Sequence, residues 1–277
     1  MATRAKPHAR VQAVMFDVDG TLILSNPDLG DYRPLPGARE TLSALRAAGT
    51  PYLLLTNGSA YPGPEQAEKL RRLDLPVDDD QMLTPNNVAA SIFRDRGLQR
   101  VMVLGVDGVR RALAAEGIET VAPVAGQPPD AVYVAWYPEC GMEQIHAAAL
   151  AVMDGASFYT ASDVPFFATS AGRTFGYSSA ISGAIARVTG VEPVLTGKPS
   201  AAALAFVAHR LGVAPSSLAV VGDDPKVETE MARSGGAIGI GVTTGTTTLE
   251  QWAEQGPTRQ AHHVVSRVSD ILDMGLF

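Results

Sequence analysis

Cysteine is almost missing from this chain: Cys140 is the single one among 277 residues. One thiol excludes an internal disulfide and suits a reducing compartment, so a cytoplasmic location is expected. A lone cysteine is most often an inert filler, and Cys140 is read that way. Long apolar runs are missing too. None approaches the roughly 20 residues needed to span a bilayer, so no membrane partner is expected. The basic, polar segment 1–10 is followed by no apolar signal core, and a frayed tail is expected there. Positive charge is in short supply: 22 Lys and Arg stand against 29 Asp and Glu, a net charge of −7. That balance argues against nucleic acid as a partner. It leaves a small anionic substrate open, because local charge decides that. The five histidines, His8, His146, His209, His262 and His263, show no metal-ligand spacing. Gly239, Gly241 and Gly245 have the wrong spacing for a dinucleotide fingerprint. Gly197-Lys198 is no nucleotide phosphate loop, since Glu192 stands where its first Gly belongs and Pro199 where Ser or Thr belongs.

What is present is an ordinary globular composition, 46% hydrophobic and 18% charged, with apolar runs alternating with helical patterns. A strand over Val11 to Phe16, a helix over Ala38 to Ala48, a strand over Tyr52 to Leu55 and a helix over Pro64 to Leu73 read β-α-β-α, the signature of a parallel sheet. Asp17 to Pro36, rich in Gly and Pro, reads as a long loop after a strand and therefore as a functional flap. A second series with its own alternation follows the crossing point near Met82 to Asn87. The first pattern resumes after Pro193, with a helix over Ala201 to Leu211, a strand over Leu218 to Val221, a helix over Lys226 to Arg233 and a strand over Ala237 to Val242. The expected fold is α/β: a doubly wound, Rossmann-like parallel-sheet core over 11–83 and 190–277, with an inserted α/β block over 84–189.

Several strand and helix ends carry polar groups. Asp17 and Asp19 stand two apart after the first strand, so both can face the crevice at its carboxyl end, where open α/β sheets bind ligands. Two acids that close repel, and the usual remedies are a bound cation or a proton on one of them. Asp17 is read as an ionised, metal-bound nucleophile and Asp19 as a proton carrier. Thr56-Asn57-Gly58-Ser59 follows the second strand, Lys198 precedes a helix, and Asp223, Asp224 and Glu228 follow a later strand. Each has an ordinary structural reading: Thr56 beside a helix N-cap, Lys198 as a solvated lysine, Asp223 and Asp224 as helix caps. At this order and spacing the functional reading outweighs all of these together.

Asp17-Val-Asp19-Gly-Thr21, Thr56-Asn57-Gly58-Ser59, Gly197-Lys198-Pro199-Ser200 and Gly222-Asp223 with Glu228 resemble the four motifs of the haloacid dehalogenase superfamily, over nearly the whole chain from Val11. The insert between the second and third motifs looks like subclass IIA, the nitrophenylphosphatase-like, N-acetylglucosamine-operon-type phosphatases with a large α/β cap. Thr160-Ala161-Ser162-Asp163 resembles their cap stretch Thr-Asn-x-Asp, with Ala161 in place of the Asn. Gly58 and Glu228 are two further departures. The resemblance implies a magnesium-dependent phosphatase that hydrolyses a small-molecule phosphate monoester through an aspartyl-phosphate. Asp17, Asp223 and the Asp19 carbonyl would bind magnesium, with Asp224 and Glu228 holding its waters or its neighbours. Lys198, Thr56 and the backbone at Asn57 and Gly58 would bind the phosphoryl group. Trp136, Tyr137 and Asp163 are the cap residues expected to meet the leaving group. A homodimer through the cap is also implied. The rival readings are a phosphotransferase or phosphomutase on the same core, and a non-catalytic phosphate-binding module.

Overall fold

A computed structural model describes residues 11–26, 31–126, 128–169 and 172–276; the tail expected over 1–10 lies outside them. Strand Ala13–Phe16 sits inside a six-stranded, wholly parallel sheet. The strand order is His263–Val265, Ile238–Val242, Leu218–Gly222, Ala13–Phe16, Tyr52–Leu55, Met82–Leu83. The middle four strands are buried along their whole length. Helices cover both faces of such a sheet, which is why these strands read as unbroken apolar runs rather than alternating ones. Successive side chains go to opposite faces. Val14 and Phe16 pack with Leu42, Leu45 and Ile271; Ala13 and Met15 pack with Leu204, Val207 and Met231.

The chain runs outward from Ala13–Phe16 through Tyr52–Leu55 to Met82–Leu83. It later returns to the other side of Ala13–Phe16 and runs outward again. Strand order therefore reverses between Ala13–Phe16 and Leu218–Gly222, and the crevice at such a switch point is where this architecture binds ligands. Asp17 and Asp223 each follow directly on one of those two strands.

A second parallel sheet, with its own apolar layers on both faces, is inserted into the first. Its order is Val194–Leu195, Ser157–Thr160, Ala131–Val134, Arg100–Leu104, Glu119–Val121. The fold is the α/β core with an inserted α/β cap. The edge strand Val194–Leu195 hydrogen-bonds to the cap sheet, although the core pattern was expected to resume at 190. At two and three residues, that strand and Glu119–Val121 are too short to show a strand pattern in the sequence.

Other local differences have physical causes. The expected flap holds an antiparallel hairpin, Ile23–Asn26 with Asp31–Pro34. A second hairpin, Phe166–Thr169 with Gly172–Phe175, lies in the Gly/Ser/Phe-rich segment. The helix expected over 226–233 is split: Pro225–Thr229 forms a wide π-helical turn before the regular helix Glu230–Gly235. Such turns insert one extra residue per turn and often mark functional sites; this one carries Glu228. No described helix is long and apolar enough to cross a membrane.

Candidate active site

Four charged side chains from three distant parts of the chain gather at the switch point, all nearly shut off from solvent: Asp17 at 7% exposure, Lys198 at 1%, Asp223 at 5% and Glu228 at 2%. The Asp17 N–H donates to the Val221 carbonyl at 2.8 Å, which extends the strand ladder and fixes the residue. Its carboxylate accepts from the Thr21 hydroxyl at 3.0 Å and from the Lys198 ammonium. Lys198 also pairs with Glu228 at 2.8 Å. The wide turn aims Glu228 back into the cluster, where it accepts the Asp224 N–H at 3.2 Å. Asp224 accepts the Lys226 N–H at 2.8 Å, so its carboxylate caps that turn.

Asp223 is held by the Thr246 N–H at 2.7 Å and seated between two glycines. A Cβ at Gly245 would lie 2.0 Å from its Oδ2, and one at Gly20 2.5 Å away. Gly20 also has φ +84°, a left-handed conformation that glycine adopts without strain. The Asp-x-Asp-Gly turn is thereby folded against the Asp223 carboxylate. Asp19 is exposed on the open side, its backbone bridged to Ile23.

The loop after Tyr52–Leu55 supplies the opposite wall. The Thr56 hydroxyl accepts the Gly58 N–H at 3.0 Å, which orients the oxygen and leaves its proton to donate. Asn57 was expected to offer its backbone to phosphate. Its side chain grips the Lys198 backbone at both ends: Nδ2 donates to the Lys198 carbonyl at 3.0 Å and Oδ1 accepts the Lys198 N–H at 2.8 Å. Ser59 belongs to a network that sequence reasoning missed. Its Oγ accepts the Trp136 N–H at 3.0 Å, and its carbonyl accepts from Asn86 at 3.0 Å. Asn86 in turn accepts from the Tyr133 hydroxyl at 3.0 Å, which lies 3.4 Å from the Thr196 hydroxyl. These buried contacts tie the core loop to the cap sheet. Thr21 and Thr246 were also missed. The signal for Thr21 was its place in the first motif; for Thr246 it was a threonine-rich loop at the carboxyl end of a buried strand.

Charge in the cluster is unbalanced: three buried carboxylates face one buried ammonium. Burial first, then the Asp17 charge, pushes the Asp223 carboxyl up to about 7 against the opposing pull of the Thr246 hydrogen bonds. Glu228 is pushed up to about 8, chiefly by burial, although Lys198 pulls it down. Burial lowers Lys198, but Asp17 and Glu228 outweigh it and the ammonium stays firmly protonated. Buried charges are normally paired or bound to metal. A site of hard oxygen donors short of positive charge fits a hard divalent cation. Among the described residues, no group of three or more His, Cys, Asp or Glu side chains is spaced as a metal cage. The expected set needs only two carboxylates, Asp17 and Asp223, with a backbone carbonyl, and magnesium commonly keeps several waters.

The three cap residues fall in different places. Trp136 lines a cavity shared with Asp19, Thr56 and Gly58 and packs edge-on against Tyr177 at 4.8 Å. Tyr137 packs against the apolar cluster of the cap. Asp163 is exposed, and its carbonyl accepts from Ser179 at 2.9 Å.

Comparison with known proteins agrees with this architecture. Residues 14–119 match the family model described as haloacid dehalogenase-like hydrolase, and residues 195–271 match a second model of the same superfamily. A 5′-nucleotidase of Bacillus subtilis is 27% identical over 241 residues, 87% of this chain and 90% of the relative. The crystal structure of a 4-nitrophenylphosphatase from Thermotoga maritima superposes with a TM-score of 0.85 at 23% identity, covering 95% of this chain and 97% of its own. That of a glycerol phosphate phosphatase from Mycobacterium tuberculosis, in complex with magnesium, gives 0.82 at 25% identity, covering 92% and 74%. The chain belongs to the haloacid dehalogenase-like hydrolases. With the 4-nitrophenylphosphatase it shares the whole fold, core and inserted α/β cap together.

Proposed function

We propose that the chain is a magnesium-dependent phosphatase that hydrolyses a small-molecule phosphate monoester through a phosphoenzyme on Asp17. The convergence of Asp17, Lys198, Glu228 and Asp223 in one buried cluster supports this reading most. Asp17 and Asp223, with the Asp19 carbonyl, would hold magnesium, and Asp224 and Glu228 would support its surroundings. The bound cation would offset the repulsion between an attacking carboxylate and an anionic ester.

In this mechanism Thr21 fixes the Asp17 carboxylate while one of its oxygens attacks phosphorus in line. Lys198, held in place by Asn57 and Glu228, neutralises the phosphoryl oxygens as charge builds on them, and the Thr56 hydroxyl donates to the same group. Asp19, on the open side, gives its proton to the departing alkoxide. It then takes a proton from the water that attacks the aspartyl-phosphate and frees phosphate. The cap closes over the cleft and excludes bulk water.

The test is phosphate release from a panel of monoesters, with and without a chelator, in wild type and Asp17→Asn. Turnover should need the divalent ion and vanish in the variant, and hydroxylamine should trap a modified peptide containing residue 17. Full turnover by Asp17→Asn would overturn the mechanism.

A homodimer through the cap and a cytoplasmic location belong to the same reading. Met142, Met153, Val188, Val191 and Val194 are exposed apolar residues on the cap, and exposed apolar patches commonly mark association surfaces. Sedimentation of wild type against Met153→Glu tests the dimer.

A further inference from the structure

One cavity adjoins the cluster on the Asp19 side. It measures about 350 Å³, near the small end of the range for small-molecule pockets. Asp19, Thr56 and Gly58 line it where it meets the cluster's loops. Leu70 and Met82 contribute an apolar surface. Three aromatic side chains from three parts of the chain line it: Tyr32 from the first hairpin, Tyr61 from the loop after Thr56, and Trp136 from the cap. Lys69 also lines it, with its ammonium 3.6 Å from the centroid of the Tyr61 ring and 5.9 Å from that of Tyr32.

A pocket lined by the proposed proton donor is where an alcohol would leave. Its size suits one ring or one sugar, and its aromatic walls suit a flat or apolar body. Lys69 gives it a fixed positive charge. The Tyr61 ring face restrains that ammonium by cation–π attraction. The acid one turn back on the same helix, Glu65, is held by Arg111 of the cap and exerts only a secondary pull on Lys69. Arg72, at the end of that helix, is paired with Glu68 at 2.5 Å and acts on Lys69 only weakly. Burial disfavours the charged form of Lys69, so an anion brought to it from the substrate would restore what desolvation removes.

We infer that this cavity is the leaving-group pocket and that Lys69, seated on Tyr61, selects monoesters whose alcohol carries an anionic group over those carrying a cationic one. The inference rests on the phosphatase reading for the identity of the group that leaves. The pocket's charge preference can be measured without turnover.

Two non-hydrolysable probes of one shape are para-carboxybenzylphosphonate and para-(aminomethyl)benzylphosphonate. Calorimetric titration of wild type with magnesium should show the carboxylate binding roughly tenfold more tightly, the scale of a partly buried charge-assisted contact. Lys69→Gln should erase that ratio and Lys69→Glu should invert it, with both variants checked for a native melting profile. Equal affinities in wild type, or a ratio that survives Lys69→Gln, would overturn the assignment. Phenyl phosphate hydrolysis is followed in parallel to separate the two readings. Hydrolysis without a charge preference would sink the pocket assignment alone. A Lys69-dependent preference without hydrolysis would support the charge selection by Lys69 and sink the phosphatase reading, and with it the identity of the pocket's occupant as a leaving group.

Discussion

Asn57 offers the sharpest test of how the site is held together. Its amide makes two hydrogen bonds to the backbone of Lys198, at 3.0 and 2.8 Å, across a sequence separation of 141 residues. Asn57→Ala removes both. At about 1 kcal/mol net for each bond, the cost is about 2 kcal/mol. At roughly 2–4 °C per kcal/mol for a protein of this size, the midpoint of thermal unfolding should fall by about 4–8 °C. The effect on catalysis should be larger than stability suggests. Lys198 would lose its anchor, and a displacement of about 1 Å in a positioning group can cost about 100-fold in rate. The assay is steady-state phosphate release by Asn57→Ala, Lys198→Met and the double variant. If Asn57 acts through Lys198, the losses will be strongly non-additive, since a displaced ammonium and an absent one are nearly the same defect. Additive losses, or an unchanged melting temperature in Asn57→Ala, would refute the clamp.

Other outcomes follow from the same geometry. Ser59→Ala removes the acceptor of the Trp136 N–H. It should cost about 1–3 kcal/mol in chemical denaturation and raise KM more than it lowers kcat, because Trp136 walls the leaving-group side; a pure kcat loss would contradict that. The metal-free protein should lose stability as pH rises. Asp223 and Glu228 have folded values of about 7 and about 8, above their unfolded values of roughly 4. Their contribution is therefore fully present below pH ~4 and lost as pH climbs through ~7–8; Lys198, raised from 10.5, changes nothing in that window. Melting temperature without metal should fall between about pH 5 and pH 8. Magnesium should restore more of it at the upper end; a pH-independent magnesium shift would be the contrary result.

The sheet was legible because its strands are buried on both faces. Continuous runs such as Val14-Met15-Phe16 and Leu218 to Val221 announce that burial directly, and the acids at their carboxyl ends mark the crevice. Lys198 was legible only beside those acids, since lysine alone is usually solvated. Glu228 was expected from sequence to hold the metal's waters or its neighbours; its pairing with Lys198 was not foreseen, and it comes with the wide turn at Pro225–Thr229 that carries the residue. No local pattern foretells that turn. The link from Ser59 through Asn86 and Tyr133 to Thr196 joins positions 27 to 63 residues apart. Side-chain bonds at such separations leave no periodic trace. Lys69, Tyr61 and Tyr32 come together only after the hairpin and the helix Gly63–Arg71 are both in place.

The account stands on Asp17 and Asp223 sharing one divalent ion at the strand-order switch. Crystals grown with manganese and measured at its absorption edge would locate that ion directly. The expected result is a single anomalous peak between the two carboxylates, at ordinary metal–oxygen bonding distance from one oxygen of each, and its loss in Asp223→Asn. A peak bound elsewhere, with these two carboxyl groups untouched by metal, would contradict the account.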